Sequence, residues 1–249
     1  MRIAICFFGL IRSLKFTHES INENLLKILK QNGIEYDIFI HTYDLKVLNN
    51  KRSKENNVEL DVNDYKLLNP KDILIENQDE FDKSFDYEKI MSYGNAWKDS
   101  NDNFNSLKNL IRQLNSLNKL TQMIKKKERY DLYIYVRPDT KIVNPFNINL
   151  IENTKDNEIK TPVYFKHWGG LNDRFAIGKF NSIVKYGERI NYIYDFVNCG
   201  KKRPLHSEQL LKFVINKFNI KNIDIDIVLV RVRADGREHK YDYEKVIFK

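Results

Sequence analysis

The chain has 249 residues, a net charge of +8 and 42% hydrophobic residues, which excludes a disordered chain and fits a globular one. Its 9 glycines and 5 prolines exclude collagen-like and low-complexity sequences. Its 2 cysteines have no motif spacing, which excludes a disulfide scaffold and favours a reducing, cytoplasmic location. The positive charge favours anionic partners such as nucleotide phosphates or nucleic acid, unless it is only a solvated lysine surface.

The first elements predicted are a strand, a helix and a second strand. Residues 2–8 form a continuous apolar run that ends at Gly9, as expected of a buried parallel strand. This run is far shorter than the roughly 20 residues of a membrane span, so no transmembrane segment is predicted. Apolar residues at helical spacing predict a helix over 16–32, and a strand follows over 36–42. Together they predict a βαβ unit with a right-handed crossover.

The next segment, 44–80, is polar and rich in asparagine and lysine. We predict one short strand in it, over 72–76, and a mobile loop over 46–59. The segment belongs to a variable excursion around 45–95 within a single domain that spans 1–249.

A long helix and a buried strand follow the excursion. Apolar residues at three-to-four spacing predict a helix over 104–128. The apolar run 131–137 predicts a strand that ends at Pro138, because proline has no N–H for the ladder. Further strands are predicted over 161–166, 174–178 and 226–232, and further helices over 180–197 and 207–218. This alternation indicates an α/β layered domain.

Chemistry is expected where the strands end, because open α/β sheets bind ligands beyond the carboxyl ends of their strands. Gly9 lets the backbone approach a phosphate, and Arg12 can pair with that phosphate through two donors. The alternative is an ordinary glycine turn.

A second strand end carries Arg137, Pro138 and Asp139. A carboxylate at this place can hold Mg²⁺ or Mn²⁺ against a diphosphate, and Arg137 can orient the carboxylate or contact the phosphate. The alternative is a salt bridge between Arg137 and Asp139 that closes the turn.

Two more carboxylates lie near predicted helix and strand starts. His206 or Ser207 is predicted to cap the helix that follows, which places Glu208 in its first turn. A carboxylate that faces the cleft there is a candidate general base on a hydroxyl, although capping alone also accounts for it. Asp173 follows two glycines and either contacts sugar hydroxyls or belongs to an Asn/Asp turn.

Several enzyme classes are excluded by missing motifs. The 5 histidines and 2 cysteines show no zinc-ligand spacing. The sequence also has no P-loop, no GxGxxG and no GxSxG. Kinases, dinucleotide dehydrogenases and α/β-hydrolases are therefore not predicted.

Taken in order, five stretches of the sequence resemble a GT-A-type nucleotide-sugar glycosyltransferase, of the divergent families found in bacterial polysaccharide loci and large DNA viruses. They are residues 3–12, 36–43, 112–117 with 130–139, 172–178 and 206–211. The resemblance covers most of the chain apart from about 45–95.

This resemblance implies a GT-A, Rossmann-like fold with a mixed, mainly parallel sheet flanked by helices. It implies transfer of a sugar from a nucleoside diphosphate sugar to a glycan or protein hydroxyl, in the host cytoplasm if the source is a virus. Arg12 and Arg112 would neutralise the leaving diphosphate. Asp173 would contact the donor sugar, and Glu208 would serve the acceptor hydroxyl, with an inverting or a retaining outcome.

The resemblance also implies a metal site, with one departure. The family's Asp-x-Asp motif reads here as Arg137, Pro138 and Asp139, so its first aspartate is missing. Asp139 would hold Mn²⁺ or Mg²⁺ against the diphosphate, and His239 is the candidate late ligand. Metal dependence is left open by the missing aspartate.

The alternative function is a non-catalytic α/β domain that binds nucleic acid or a glycan. A nucleic-acid binder would use the +8 charge for phosphates and aromatic rings for stacking. The aromatics of the strand-like runs are Phe7, Phe8, Phe39, Tyr133 and Tyr135, and core packing is the simpler account of them. Nucleic acid is therefore not expected as a partner.

Overall fold

The computed structural model describes residues 1–97 and 102–247, and a seven-stranded sheet lies at its centre. The strands in chain order are β1 (Arg2–Phe8), β2 (Glu35–Tyr43), β3 (Val47–Asn50), β4 (Glu55–Glu59), β5 (Asp72–Glu76), β6 (Leu132–Val136), β7 (Thr140–Ile142), β8 (Glu158–Pro162), β9 (Phe175–Gly178), β10 (Lys221–Ile225) and β11 (Leu229–Arg231). The helices are α1 (Leu14–Ile21), α2 (Lys27–Gln31), α3 (Gln78–Ser84), α4 (Tyr87–Met91), α5 (Asn105–Lys125), α6 (Asn149–Glu152), α7 (Phe180–Gly187), α8 (Ile193–Val197), α9 (Ser207–Lys217) and α10 (Lys240–Ile247). A π-helical turn, Asn22–Leu26, joins α1 to α2, and short 3₁₀ helices lie at Lys51–Ser53, Asp64–Leu68, His167–Gly169 and Arg189–Tyr192.

The central sheet has the strand order β10-β8-β9-β6-β1-β2-β5. Strand β9 runs antiparallel to β6 and β8, and the other neighbours are parallel. The predicted fold class, a Rossmann-like α/β domain with a mixed, mainly parallel sheet flanked by helices, is confirmed. The parallel pairing of β1 with β2 also confirms the N-terminal βαβ unit. Because β1, β2 and β6 are parallel neighbours, their carboxyl ends meet at one edge of the sheet.

Alternate residues of β1 enter two different layers of the core, which explains its continuous apolar run. Ile3, Ile5 and Phe7 belong to the layer formed with α1 and α2. Ala4, Cys6 and Phe8 belong to the layer formed with α5. The five aromatics Phe7, Phe8, Phe39, Tyr133 and Tyr135 are fully buried, so their predicted place in the core is confirmed.

The excursion is more ordered in its secondary structure than the sequence indicates. In place of the loop predicted over 46–59, β3 and β4 pair as an antiparallel hairpin. Leu48 and Glu55 of this hairpin are buried, whereas most of its other side chains are polar and more exposed. With so few apolar residues, the hairpin gives no alternating signal that a strand prediction can use.

Two predicted strands are placed differently in the structure. The strand predicted over 161–166 is β8, which begins at Glu158 and ends at Pro162. The strand predicted over 226–232 contains only β11, which pairs with β7 outside the central sheet, and the edge strand before it, β10, was not predicted. Since an edge strand can present polar side chains to water, the sequence of β10 does not show the apolar run of the central strands.

The predicted helix over 180–197 is broken after Gly187. A Cβ atom at Gly187 would lie 1.9 Å from Thr121 Oγ1, so the end of α7 approaches α5 as only glycine allows. Within the residues described, no helix combines the length and the apolar character that crossing a bilayer requires.

Candidate active site

A cavity of about 770 Å³ opens beyond the carboxyl ends of β1 and β6. Its floor carries Gly9 and Arg12 from the loop after β1, and Arg137 and Asp139 from the turn after β6. This volume lies in the range of small-ligand sites, about 300–1,000 Å³. The cavity therefore occupies the edge where an open α/β sheet binds its ligands.

The glycine loop is held by the long helix α5. Gly9 has a φ of +99°, and its N–H donates to Ser116 Oγ over 2.7 Å. The same Ser116 Oγ lies 2.8 Å from His41 Nδ1 on β2. Since a Cβ atom at Gly9 would meet nothing within 4 Å, the loop presents open backbone to the cavity.

Asp139 faces this loop but is enclosed by guanidinium groups. Arg137 donates to both carboxylate oxygens, over 2.9 and 2.7 Å, and Arg12 donates to Oδ2 over 2.9 Å. Burial alone would raise the pKa of Asp139, but Arg137 and Arg12 outweigh it and hold the pKa well below its usual range. The alternative interpretation of the turn, an Arg137–Asp139 salt bridge, describes the geometry, and the pair still lines the cavity.

The donor set does not fit the divalent cation that the resemblance implies. Both oxygens of Asp139 already accept hydrogen bonds from guanidinium groups. The ring of His239 lies 3.2 Å from both Arg231 and Asp242, and burial together with Arg231 lowers its pKa. Across residues 1–97 and 102–247, no three His, Cys, Asp or Glu side chains are grouped to hold a metal ion. Metal dependence stays a prediction.

Arg112 lines the cavity and Glu55 contacts Arg12 behind it, both in roles the sequence did not indicate. Arg112 donates to both carboxylate oxygens of Asp82, over 3.0 and 2.5 Å. Glu55, on the hairpin, accepts hydrogen bonds from Arg12 over 3.1 Å and from the backbone N–H of Ala234 over 2.7 Å. Glu55 thereby joins the hairpin, the loop after β1 and the segment after β11. A polar hairpin carries no sequence signal for such a role.

The carboxyls of Glu208, which is partly buried, and Asp173, which is buried, are neighbours whose pKa values shift in opposite directions. Burial and the charge of Asp173 raise the pKa of Glu208 to about 8. Burial also acts to raise the pKa of Asp173, but Arg137, Arg189 and the Ser207 hydroxyl outweigh it and lower that pKa. Two acids side by side thus have different protonation states near neutral pH.

The predicted cap of α9 is absent. His206 is the N-cap residue and makes no side-chain capping bond. The Ser207 hydroxyl instead donates to Asp173 Oδ2, which also accepts from Gln113 Nε2 over 3.1 Å. Glu208 is therefore not explained by capping alone, because its environment favours the neutral acid over the charge that a helix N-terminus prefers.

Aromatic rings form the wall beside Glu208, and both of the chain's 2 tryptophans lie there. Trp168 stacks on His206 with ring centroids 4.7 Å apart and an interplanar angle of 13°. Trp97 lies on His206 at 6.0 Å and 25°. The Trp168 ring is nevertheless 60% exposed, which is unusual for so large an apolar group. Trp168 directly precedes Gly169 and Gly170, and that position was the sequence signal that could have marked it as a site residue.

Gly170 sets how closely the preceding loop approaches Glu208. A Cβ atom there would lie 2.3 Å from the backbone carbon of Glu208. We expect Gly170→Ala to destabilise the fold by about 1–3 kcal/mol, as overpacking does, measured by thermal unfolding. Gly178→Ala is the matched control, because its Cβ would meet nothing closer than 3.5 Å. Equal melting temperatures of the two variants would contradict the close approach.

Comparison with known proteins adds little to this geometry. No protein-family model matches the chain, and no curated protein matches it. One solved structure similar to the chain is that of the apo-form glycosyltransferase GlyE of Streptococcus pneumoniae TIGR4, at 11% identity and a TM-score of 0.43. The match covers 90% of this chain and 45% of that protein, so the chain spans less than half of its length. At this TM-score the likeness carries no conclusion.

Proposed function

We propose that the chain is a glycosyltransferase that moves a sugar from a nucleoside diphosphate sugar to a hydroxyl group of a glycan or protein. One observation carries this proposal: guanidinium groups and the partly buried Glu208 carboxyl share a single cavity at the strand ends. Guanidinium groups stabilise the charge of a departing diphosphate. A carboxyl whose pKa is raised to about 8 suits proton transfer near neutral pH.

In this proposal the donor lies over the ends of β1 and β6. The backbone at Gly9 is open to the cavity, so a phosphate can approach the loop closely. Arg12 and Arg137 are already oriented by Asp139, so they meet the diphosphate with little reorganisation. Asp139 is thus a positioning residue for the guanidinium groups of Arg12 and Arg137.

The transfer step needs one base and one leaving group. The acceptor oxygen attacks the anomeric carbon, the bond from that carbon to the diphosphate oxygen breaks, and its electron pair stays on the diphosphate. Glu208, as a carboxylate, takes the hydroxyl proton. Asp173 is less suited to this role, since Gln113 and Ser207 already donate to it. A direct attack inverts the anomeric configuration, and NMR of the product separates this outcome from retention.

The exposed Trp168 ring offers a carbohydrate acceptor a flat apolar face next to Glu208. We expect Trp168→Ala to raise the KM for the acceptor about tenfold, about 1.4 kcal/mol, with little change in the KM for the donor. Trp168→Phe keeps an aromatic face and should lose less. Initial-rate kinetics with both substrates varied would measure this. A larger effect on the donor KM would contradict the assignment of this wall to the acceptor.

The experiment that tests the proposed function is a thermal-shift screen of nucleotide sugars, followed by assays of sugar transfer and donor hydrolysis. A ligand that binds only the folded state raises the melting temperature. Stabilisation by one donor class together with transfer supports the proposal. If no donor stabilises, transfers or hydrolyses, while RNA or DNA binds with a steep salt dependence, the chain is a nucleic-acid binder instead. Glycan binding without any donor turnover would favour the non-catalytic glycan-binding domain.

A further inference from the structure

Arg233 lies in the turn after β11 and reaches the cavity without a carboxylate of its own. The other guanidinium groups of this region have partners: Arg12 and Arg137 bind Asp139, and Arg231 binds Asp242. Within the described parts of the chain, the Arg233 side chain makes no hydrogen bond or ion pair, although it lines the cavity. An unpaired, partly buried guanidinium is costly unless an anion binds it.

The surroundings of Arg233 are positively charged. Burial, then Arg12, then Arg231 lower the pKa of Arg233 to about 10, while Glu55 and Asp139 oppose the shift. Those two carboxylates are already shared with other donors, because both accept hydrogen bonds from Arg12. The cluster of charges formed by Arg233, Arg12, Arg231, Glu55 and Asp139 therefore has one more positive than negative group, and Arg233 lines the cavity.

The turn that carries Arg233 is fixed before any ligand binds. The Arg233 N–H donates to the carbonyl of Arg237 over 2.9 Å, and Gly236 donates back to the Arg233 carbonyl over 2.9 Å. Gly236 has a φ of +84°, and a Cβ there would lie 3.1 Å from the ring of Phe16 on α1. The next residue, Ala234, donates to Glu55 over 2.7 Å. The guanidinium is thus presented by a preorganised turn.

We propose that Arg233, together with Arg12 and Arg137, binds the diphosphate of the donor without a divalent cation. This inference rests on the proposed function, since it assigns the anion of that same site. The three guanidinium groups supply the positive charge that a metal ion would bring. Arg12 and Arg137 also occupy the Asp139 carboxylate oxygens that a metal ion would need. A cation would have to displace Arg12 or Arg137 from Asp139.

Isothermal titration with inorganic pyrophosphate, in EDTA and again with Mn²⁺, tests this inference on the full chain. We expect the wild type to bind pyrophosphate in EDTA, with no strengthening by Mn²⁺. Arg233→Gln should weaken that binding about 10–100-fold, the range for hydrogen bonds to charged groups. Its melting temperature should not fall, because the guanidinium has no partner in the described chain to lose.

Lys201→Gln is the matched control, since it removes one positive charge from an exposed side chain that does not line the cavity. Unchanged affinity is expected for this control. Binding that requires Mn²⁺, or an Arg233→Gln variant as tight as the wild type, would overturn the inference. Sugar transfer that depends on Mn²⁺ would overturn it while leaving the proposed function intact. Pyrophosphate binding without any sugar transfer would support this anion site and count against the proposed function.

Discussion

Replacing Glu208 with glutamine is expected to lower the rate of sugar transfer by about 10²–10⁴-fold, the usual contribution of general-base catalysis. The amide keeps the size of the side chain but cannot accept the proton of the acceptor hydroxyl. Single-turnover kinetics with saturating donor would measure the loss. Donor affinity should be nearly unchanged, because Glu208 makes no hydrogen bond or ion pair with Arg12 or Arg137 on the cavity floor, whose shared partner is Asp139.

The rate of sugar transfer and the stability of the fold should both change with pH as Glu208 ionises. A general base must be deprotonated, so the wild-type rate should rise with pH and level off above the pKa of Glu208, which is raised to about 8. Because the folded-state pKa lies above the ordinary value of the acid, ionisation of Glu208 opposes folding, and stability is lost as pH rises through that interval. Glu208→Gln removes this effect, so its melting temperature at pH 7 should equal or exceed that of the wild type. An inactive variant that also melts much lower would indicate a structural role.

Much of the fold is readable from the sequence because its central strands are buried on both faces. The continuous apolar runs that became β1 and β6 leave little choice of structure, and Gly9 marks where the first run ends. The polar hairpin and the edge strand β10 lack that signal, since neither buries a full face. The location of the cavity at one edge of the sheet follows from the fold, because β1 and its neighbours β2 and β6 are parallel and end at the same edge.

The site was only partly predictable, because its chemistry depends on contacts between distant parts of the chain. Asp139 and Glu208 both line the cavity, and the sequence features that pointed to them were positions after a strand and in a first helical turn. Their protonation states could not be read from the sequence. Arg12, 127 residues away, is the second partner of Asp139. Asp173, which raises the pKa of Glu208, comes from a separate loop.

Asp139→Asn should have the opposite effect on stability from Glu208→Gln. It leaves the partly buried Arg12 and Arg137 without the buried carboxylate that they share, and breaking a buried ion pair typically costs about 3–5 kcal/mol. For a chain of this size, we expect the melting temperature to fall by roughly 10 °C. Thermal and urea unfolding at neutral pH would measure this loss.

Acid titration separates this structural role of Asp139 from a role as a metal ligand. The arginines hold the pKa of Asp139 below its usual range, so its contribution to stability is present above the ordinary value and is lost as pH falls. Asp139→Asn should therefore flatten the acid limb of the stability curve. If Asp139 instead serves a cation, the variant should keep its stability in EDTA and lose only the stabilisation that Mn²⁺ gives the wild type. A double-mutant cycle with Arg137→Gln measures the coupling directly, and a coupling energy near zero would contradict the ion pair as the reason for this carboxylate.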